Sequence, residues 1–539
     1  MKLTYKGLRE VDAWQKAGVL LPPYDPEALS EKTVANPLWV HFGIGNIFRI
    51  FIGTIADQLV REGAMDRGVT CVETFDYDVV DKIYNPFDNL VMAVTLNADG
   101  TRIKRVLGIL SEAVKAQSAD PASWVRMKEI FTSPSLQMVS FTITEKGYAL
   151  RNPDGVYFGY VQADMDNGPD KVTGAMGVVT AMLYARYKAG KIPLTLVSMD
   201  NVARNGEKLR ASVLETARVW AEKGHVPADF VDYVSDEKVV SFPWTMIDKI
   251  TPRPSEDIAA DLMRDGIEDM QPVITSRHTY IAPFVNAEGP QYLVVEDNFP
   301  NGRPPLERAG VFIADRETVN RSERMKVTAC LNPIHTALGP YDVMLGHELF
   351  ADGMHDPELS RLAHQVGYME GLPVVQDPGI LSPKAFIDEV INERFPNAYL
   401  GDTSQRICTD ISQGVAFRFG ETVKAYVAKD GTAEWLTGIP LAIAGWLRYI
   451  LAVDDEGKPY TLAPDPLVPD IRESFAAIEV GKPETFTDEL KPILSNVNIF
   501  GVDLYQAGIG DKIETIFREE LAGPGAVRAT LKKYLDALK

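Results

Sequence analysis

The chain has 539 residues, of which 45% are hydrophobic and 24% charged, and its formal net charge at pH 7 is −20. This composition is ordinary for a globular protein, and the length is sufficient for two large domains. The negative charge argues against nucleic acid or an anionic membrane as a partner, because both require a basic surface. A small anionic substrate is not excluded, because a local pocket can bind it.

The three cysteines, Cys71, Cys330 and Cys408, are widely separated and form no C-x-x-C pair. They suggest neither a disulfide framework nor a zinc–thiolate site, and they fit a reducing compartment. The first residues are polar and lack the apolar core of a signal peptide. The most apolar run, residues 438–453, is shorter than a membrane span and is interpreted as a buried helix. We therefore expect a cytoplasmic protein.

A strand–glycine–helix pattern near the start of the chain is typical of a dinucleotide-binding fold. Residues 38–42 are mostly apolar, Gly43 and Gly45 follow at once, and apolar residues then recur at helical spacing. The glycines would let the backbone approach a pyrophosphate, and the helix N-terminus would supply N–H donors. Phe48 stands where the third glycine of the usual fingerprint is expected, and Gly-x-Gly is also common in structural turns.

Two acidic residues follow the second predicted strand, residues 69–72. Glu73 or Asp76 could accept a hydrogen bond from a ribose 2′-hydroxyl, and a carboxylate there would disfavour the 2′-phosphate of NADP. The alternative is that both are solvated loop acids. The pattern favours NAD as the cofactor.

Polar residues follow several later strands as well. Glu145 follows a β-branched and aromatic strand at residues 138–144, and Asn201 follows a buried strand at residues 192–198. Ligands of doubly wound sheets bind at the carboxyl ends of strands, so Asn201 is a candidate site residue. An N-cap or turn asparagine would give the same pattern. Asp248 is interpreted either as a loop acid or as a site residue.

The spacing of apolar residues changes after about residue 313, where helical periodicity replaces the strand patterns. We predict an α/β Rossmann-type domain over residues 1–313 and a mostly α-helical domain over residues 314–539. No internal repeat or low-complexity tract interrupts either part.

The segment ERMKVTACLNPIHTALG places Lys326, Asn332 and His335 in a run that is otherwise small or apolar. A buried lysine that loses its proton near neutral pH can act as a general base. By itself, the segment is better explained as a helix whose lysine extends to solvent.

A regular helix would put Lys326 and His335 on opposite faces, about 180° apart at 100° per residue. A site that contains both therefore requires an irregularity between Lys326 and Asn332. The irregularity could be a π-bulge, or a new helix that starts with Asn332 as N-cap and Pro333 at the next position.

Other catalytic classes lack their signatures. No histidine pair has the H-E-x-x-H spacing, and neither a G-x-S-x-G elbow nor a Walker loop is present. We therefore expect no catalytic metal, and neither a serine hydrolase nor a P-loop NTPase.

Taken together, the chain resembles the polyol-specific long-chain dehydrogenases, the mannitol dehydrogenase family, which includes mannitol 2-dehydrogenases, fructuronate reductases (mannonate oxidoreductases) and tagaturonate reductases. The resemblance covers nearly the whole chain. Its matching blocks are HFGIGNIFR, SFTITEKGY, SMDNVARNG, SFPWTMIDKITP, EDNFPNGRPPLERAGV, MK followed by LNPIH, and QRICTD.

The resemblance implies a Rossmann-type domain and a helical domain, an NAD cofactor, no metal and a lysine as general base. Carried onto this chain, Lys326 would take the substrate hydroxyl proton, Asn201 and Asn332 would stabilise the oxyanion, and His335 would bind a neighbouring oxygen. Further residues match family positions or lie in matching blocks: Asp248, Arg406 and Arg418 for the substrate, and Gly43, Gly45, Arg49, Glu73, Asp76 and Glu145 for the cofactor.

The sequence departs from the family pattern in three ways. Five residues separate Lys326 from Asn332, whereas the family has four. A substrate-binding lysine of the mannitol-type members falls at Gly414, with Arg418 four residues later, and residues 276–290 look like an insertion.

The lost lysine and the available arginines favour a sugar acid, D-mannonate with D-fructuronate or a close uronate, as substrate. The alternatives are a mannitol 2-dehydrogenase, a tagaturonate reductase and, remotely, a non-catalytic dinucleotide-binding regulator. We expect a monomer or a small homo-oligomer whose partner is a small molecule.

Overall fold

The computed structural model describes residues 1–538. The chain divides into two compact units, Met1–Asn320 and Arg321–Lys539. The boundary predicted from the sequence falls after residue 313, and the division in the structure falls after Asn320.

The first unit is built around a six-stranded, all-parallel sheet. Numbered along the chain, its strands lie in the order 3-2-1-4-5-6, which is the order of a Rossmann fold. Five of the six strands are buried along their whole length, which explains their mostly apolar sequences. The α/β prediction is confirmed. In spatial order the strands are Leu110–Lys115, Val69–Glu73, Trp39–Phe42, Met138–Phe141, Leu194–Ser198 and Val240–Ser241.

Three smaller sheets complete the strands of this unit. The segment predicted as an insertion, residues 276–290, is part of this framework, because it supplies one strand to each of two sheets. The four-stranded sheet contains Val19–Leu20, Arg102–Leu107, Val91–Leu96 and Phe284–Glu288; the three-stranded sheet contains Thr245–Asp248, Tyr292–Glu296 and Phe312–Ala314; and a hairpin pairs Val273–Ile274 with Tyr280–Ile281.

Helices pack on both faces of the parallel sheet, because neighbouring residues of its strands belong to two different hydrophobic clusters that contain different helices. The α-helices are Val11–Lys16, Pro26–Ala35, Gly53–Arg61, Pro121–Thr132, Thr144–Tyr148, Gly159–Asn167, Ala175–Lys188, Asn205–Glu222, Ala228–Ser235 and Glu256–Arg264. Short 3-10 helices occur at Gly7–Arg9, Asn85–Phe87 and Leu306–Ala309.

The second unit is helical, as predicted. At its centre, Gly438–Tyr449 is buried at every position, which confirms that the most apolar run of the sequence is a buried helix. No helix within residues 1–538 is both long and apolar enough to cross a membrane. The α-helices from the division onward are Arg316–Met325, Asn332–Met344, Phe350–Met354, Pro357–His364, Pro383–Glu389, Ser404–Ile407, Glu421–Asp430, Gly438–Tyr449, Val468–Ser474, Lys491–Leu494, Val497–Phe500, Gly510–Glu520 and Ala526–Asp536; the 3-10 helices are Leu372–Val374, Ala398–Leu400, Ile411–Gln413 and Pro483–Thr485.

The described chain also contains π-helical segments, in which the backbone hydrogen bonds span five residues instead of the four of an α-helix. Such segments are rare and often mark functional sites. Three of the four in the second unit carry basic residues that bear on the candidate site, namely Lys326, Arg394 and Arg418. The segments are Phe48–Ile52, Val80–Tyr84, Lys326–Cys330, Gln365–Gly371, Val390–Arg394 and Ala416–Gly420.

Asp342 makes the stability of the second unit depend on pH. Its side chain is buried, neither carboxyl oxygen has a hydrogen-bond partner within residues 1–538, and burial, with Asp356 and Asp352 nearby, raises its pKa to about 9. The folded state therefore keeps a proton that the unfolded state has lost at pH 7, and stability falls as pH rises towards the folded-state pKa. We expect the free energy of unfolding to drop by about 2–3 kcal/mol from this group between pH 7 and pH 10.

Denaturant unfolding of the wild type and of Asp342→Asn at several pH values measures this contribution. The variant should lose about 1.4 kcal/mol less per pH unit between pH 7 and pH 9. Equal slopes for the two proteins would contradict the prediction.

Candidate active site

A cavity of about 890 Å³ opens in the first unit at the carboxyl ends of the parallel strands. Its wall includes Gly43 and Gly45, which follow the first strand. It also includes Glu73, the last residue of the second strand, Asp76, which follows that strand, and Thr142, which follows the fourth. The order of the strands reverses between the first and the fourth, and this switch point is where doubly wound sheets bind their ligands. The cavity is therefore the candidate dinucleotide site.

The two glycines of the G-x-G motif serve different purposes in this wall. Gly43 has a φ of +86°, and a Cβ there would lie 2.1 Å from the carbonyl oxygen of Thr142, so the fold itself requires glycine. A Cβ on Gly45 would meet no protein atom within 4 Å. The space over Gly45 is open, as a bound pyrophosphate would require.

Alanine substitutions should separate these two roles. Gly43→Ala is expected to destabilise the protein by at least about 2 kcal/mol, because it combines a strained backbone with a steric overlap. Gly45→Ala should change stability by less than about 0.5 kcal/mol and still weaken dinucleotide binding, because the methyl group enters the open space. Thermal unfolding and a binding titration on both variants test this pair. Equal stability of the two variants would contradict the assignment of Gly43.

The two acidic residues after the second strand also differ. Glu73 Oε1 accepts backbone N–H bonds from Thr74, Phe75 and Asp76 at 2.9, 2.9 and 3.2 Å, so this carboxylate shapes its own loop. Asp76 Oδ2 accepts a hydrogen bond from the Thr275 hydroxyl at 2.6 Å. Its Oδ1 is buried and has no partner within residues 1–538. Asp76 is thus the acid with an acceptor left over for a ribose hydroxyl.

Two predicted cofactor residues lie outside the wall of the cavity. Arg49 is fully buried and donates to the carbonyl oxygen of Ala282 at 2.7 Å and to Asn46 Oδ1 at 2.6 Å. These two hydrogen bonds hold the loop after the first strand in place. Glu145 is exposed and forms an ion pair with Lys208, whereas its neighbour Lys146 does line the cavity.

Asp200 is a positioning residue that the sequence patterns did not single out. Its carboxylate accepts the backbone N–H groups of Ile143 and Thr144 at 2.9 and 3.0 Å and the hydroxyl of Tyr148 at 2.5 Å. Thr144 has a φ of +63°, unusual for a β-branched residue, and it lines the cavity. An acid directly before Asn201 at a strand end was the available signal.

The predicted substrate residues of the first unit lie at strand ends. Asn201 is exposed and follows the strand Leu194–Ser198, and Asp248 is the last residue of the strand Thr245–Asp248. Asn201 thus follows a strand of the parallel sheet, at the edge where a doubly wound fold binds ligands, whereas the strand of Asp248 belongs to the three-stranded sheet and pairs antiparallel with Tyr292–Glu296.

In the second unit, Lys326 opens a π-helical segment and is only 2% exposed. The amide of Leu331 donates to the carbonyl of Lys326 at 3.1 Å, a bond across five residues. Leu331 then leaves helical geometry, with φ −133° and ψ −64°, and the next helix begins at Asn332. The predicted irregularity between Lys326 and Asn332 is confirmed, and it is both a π segment and a break.

One detail of that prediction was wrong. Leu331 is the N-cap, and Asn332 is the first residue of the helix, so the Asn332 side chain does not cap it. The wide turn accommodates the fifth residue between Lys326 and Asn332. The π segment at Lys326, the helix that carries His335 and the π segment at Arg418 all contact one another.

His335 packs against two aromatic rings that also contact each other. Its ring centroid is 4.7 Å from that of Phe350 and 5.2 Å from that of Phe395. Burial, with the positive charges of Arg406, Arg418 and Arg394, lowers the pKa of His335 to about 3. The imidazole is therefore neutral at pH 7 and can both donate and accept a hydrogen bond. Arg394, which the sequence patterns did not identify, contributes to this lowering of the pKa of His335.

Arg418 lies flat on Gly414. A Cβ at Gly414 would be 2.4 Å from Arg418 Nε and 2.6 Å from its Cζ, so the guanidinium occupies the place of a side chain there. Arg418 Nη1 donates to Thr336 Oγ1 at 2.8 Å, and no carboxylate within residues 1–538 is at ion-pair distance. Burial lowers the pKa of Arg418. By contrast, Arg406 is exposed and engages Asp402 with two of its nitrogens.

The parallel sheet in Rossmann order, with a glycine-walled cavity at its switch point, defines a dinucleotide-binding oxidoreductase. Comparison with known families then identifies which one. The family model described as the mannitol dehydrogenase Rossmann domain matches residues 38–308, and the mannitol dehydrogenase C-terminal domain matches residues 318–519. The chain belongs to the mannitol dehydrogenase family.

Three relatives are informative. The D-mannonate oxidoreductase of Thermotoga maritima is 50% identical over 538 residues, which cover 99% of each chain. A crystal structure of D-sorbitol dehydrogenase in substrate-free form is 26% identical with a TM-score of 0.79, covering 95% of this chain and 97% of the other. The ternary complex of Pseudomonas fluorescens mannitol 2-dehydrogenase with NAD and D-mannitol is 25% identical with a TM-score of 0.72, covering all of both chains.

Proposed function

We propose that the protein is an NAD-dependent oxidoreductase that interconverts D-mannonate and its keto form D-fructuronate. The substrate class rests chiefly on Arg418, a partly buried guanidinium without a carboxylate partner beside a neutral histidine. The similarity to a D-mannonate oxidoreductase along the whole chain supports the same substrate.

The cavity of the first unit fits the cofactor. Gly43 and Gly45 would admit the pyrophosphate to the backbone, and the unpartnered Oδ1 of Asp76 would accept a ribose hydroxyl. When bound, the cofactor exchanges a hydride with the reacting carbon of the substrate. The ternary NAD complex of a family member supports this choice of cofactor.

Lys326 is the proposed general base. Burial favours the neutral amine of a lysine, and a neutral amine can take the proton of the substrate hydroxyl as the carbon becomes a ketone. In the direction of reduction, the same ammonium returns the proton to the oxygen. Asn201 and Asn332 would donate hydrogen bonds to the developing oxyanion, and each bond would lower the activation barrier by about 3–4 kcal/mol. His335 would bind the neighbouring oxygen.

Arg418 is the proposed anchor of the substrate carboxylate. A planar guanidinium binds a carboxylate through two parallel hydrogen bonds, which a lysine cannot reproduce. Gly414 makes room for this arginine, because a Cβ there would overlap the guanidinium. Arg406 and Asp248 would contact further oxygens of the sugar chain.

The deciding assay follows NADH oxidation with D-fructuronate, D-tagaturonate and D-fructose offered in parallel. We expect the highest kcat/KM with D-fructuronate. Turnover of fructose alone would overturn the sugar-acid assignment in favour of a mannitol 2-dehydrogenase, and a preference for tagaturonate would correct the epimer.

Asp76 should control the choice between NAD and NADP. Asp76→Ala removes the carboxylate that would repel a 2′-phosphate, so the ratio of the Kd for NADPH to that for NADH should fall by at least tenfold. Asp81→Ala, an exposed acid that pairs with Lys115, is the matched control and should leave the ratio unchanged. An unchanged ratio in Asp76→Ala would transfer the role to another group of the cavity.

The cellular setting is proposed on the same basis. The three cysteines are free and buried, which fits the reducing cytoplasm. The partners are then NAD and a small sugar acid, in a monomer or a small homo-oligomer.

A further inference from the structure

The segment that looked like an insertion forms one wall of the dinucleotide cavity. One of its strands, Tyr280–Ile281, pairs antiparallel with Val273–Ile274, which precedes the segment, and the two strands form a hairpin. The tip is closed by a hydrogen bond from the Thr275 amide to the Thr279 carbonyl at 3.0 Å and by one from the Thr279 amide to the Thr275 hydroxyl at 2.9 Å. This segment, residues 273–281, is called the cavity hairpin below.

Two hydrogen bonds tie the cavity hairpin to the loop after the second strand. The Thr275 hydroxyl donates to Asp76 Oδ2 at 2.6 Å, and the Ser276 amide donates to Asp78 Oδ2 at 2.8 Å. The residue that would bind the ribose is thus bonded directly to the hairpin. Arg277 follows in the chain and is held at the edge of the cavity, which it lines.

Arg277 and Phe75 contact each other at the wall of the cavity, which Tyr77 also lines. The guanidinium carbon of Arg277 lies 5.2 Å from the centroid of the Phe75 ring. Phe75 is 64% exposed, an unusual position for a large apolar ring, and it also lines the cavity. Within residues 1–538, Arg277 makes no hydrogen bond and no ion pair. Both groups therefore keep a flat face available to a ligand.

We propose that Arg277 and Phe75 hold the adenine base of the dinucleotide by stacking. This proposal rests on the dinucleotide use proposed above. Adenine is bonded to the ribose that Asp76 would bind, so flat groups adjacent to Asp76 are the ones that meet the base. Guanidinium planes and aromatic rings both stack on nucleobases, and such contacts do not require a charged ligand.

A competing role for Arg277 is to bind a 2′-phosphate. Two carboxylates, Glu73 and Asp76, line the same part of the cavity and would repel that phosphate. Phe75, which lines the cavity beside Arg277, offers no donor to a phosphate but presents a flat ring to a base. Stacking on the base is therefore the role that we assign.

The test is a calorimetric titration of the full-length protein with AMP, 2′,5′-ADP, nicotinamide mononucleotide and NADH. The variants are Arg277→Ala, Arg277→Lys and Phe75→Ala, with Arg264→Ala, an exposed arginine of the same unit, as control. Arg277→Ala and Phe75→Ala should each raise the Kd of AMP and of NADH roughly tenfold. The Kd of nicotinamide mononucleotide and the melting temperature should not change, and Arg277→Lys should not restore full affinity.

Two results would overturn the proposal. Unchanged AMP affinity in Arg277→Ala and Phe75→Ala would exclude the stacking role while leaving NAD as the cofactor. A loss confined to 2′,5′-ADP would make Arg277 a phosphate-binding residue. Failure of the wild type to bind NADH at all would instead overturn the proposed function, so the two failures are distinguishable.

Discussion

Lys326→Ala is expected to lower kcat by about 10³- to 10⁴-fold, because it removes the only proton acceptor proposed for the substrate hydroxyl. Dinucleotide binding should be unchanged, because the candidate cofactor cavity is lined entirely by residues of the first unit. Steady-state kinetics with D-fructuronate and a titration with NADH measure the two quantities separately.

Lys326→Met fills the space of the lysine and separates loss of the amine from loss of packing. It should be as inactive as Lys326→Ala, and a small primary amine added to Lys326→Ala should restore part of the activity. Lys532→Ala, an exposed lysine of the same unit, is the control and should behave as wild type. Activity within tenfold of wild type in Lys326→Met would end the general-base assignment.

Arg418→Leu and Gly414→Ala should have the same effect by two routes. The first removes the guanidinium, and the second places a methyl group 2.4 Å from its Nε and so displaces it. A hydrogen-bonded contact to a charged group is worth about 1.5–3 kcal/mol, so KM for D-fructuronate should rise by about 10- to 150-fold. The turnover of fructose, which has no carboxylate, should change little.

Arg418→Lys should lie between wild type and Arg418→Leu, because it keeps the charge but loses the planar pair of donors. Arg472→Leu, an exposed arginine of the second unit, controls for the loss of a positive charge. If the three site variants lowered activity on fructuronate and fructose equally, Arg418 would be a structural residue and the carboxylate would be bound elsewhere.

The elements of the first unit were predictable because they rest on local rules. Buried parallel strands are apolar throughout, and a glycine pair between a strand and a helix indicates a turn that a ligand can approach. The prediction for residues 38–42 followed by a helix therefore agrees with the structure, as does the buried helix at Gly438–Tyr449. The need for an irregularity after Lys326 also followed from helical geometry alone.

Helical geometry alone did not determine the form of that irregularity. The sequence left two forms open, a π-bulge or a helix that starts with Asn332 as its N-cap. In the structure both forms occur. The π segment ends at Cys330, and the N-cap of the next helix is Leu331, one residue before Asn332.

The sequence by itself determined the class of fold, the candidate acids of the cofactor site and the residues of the candidate catalytic group. Only the tertiary structure decided which of these line a cavity and which are held by other side chains, because those contacts join residues far apart in the chain. Asp76 and Thr275 are 199 residues apart, and Arg418 and Thr336 are 82 apart. Arg49 is turned into the protein, and Arg418 lies on Gly414, because packing and hydrogen bonding fix side-chain direction where periodicity fixes only position.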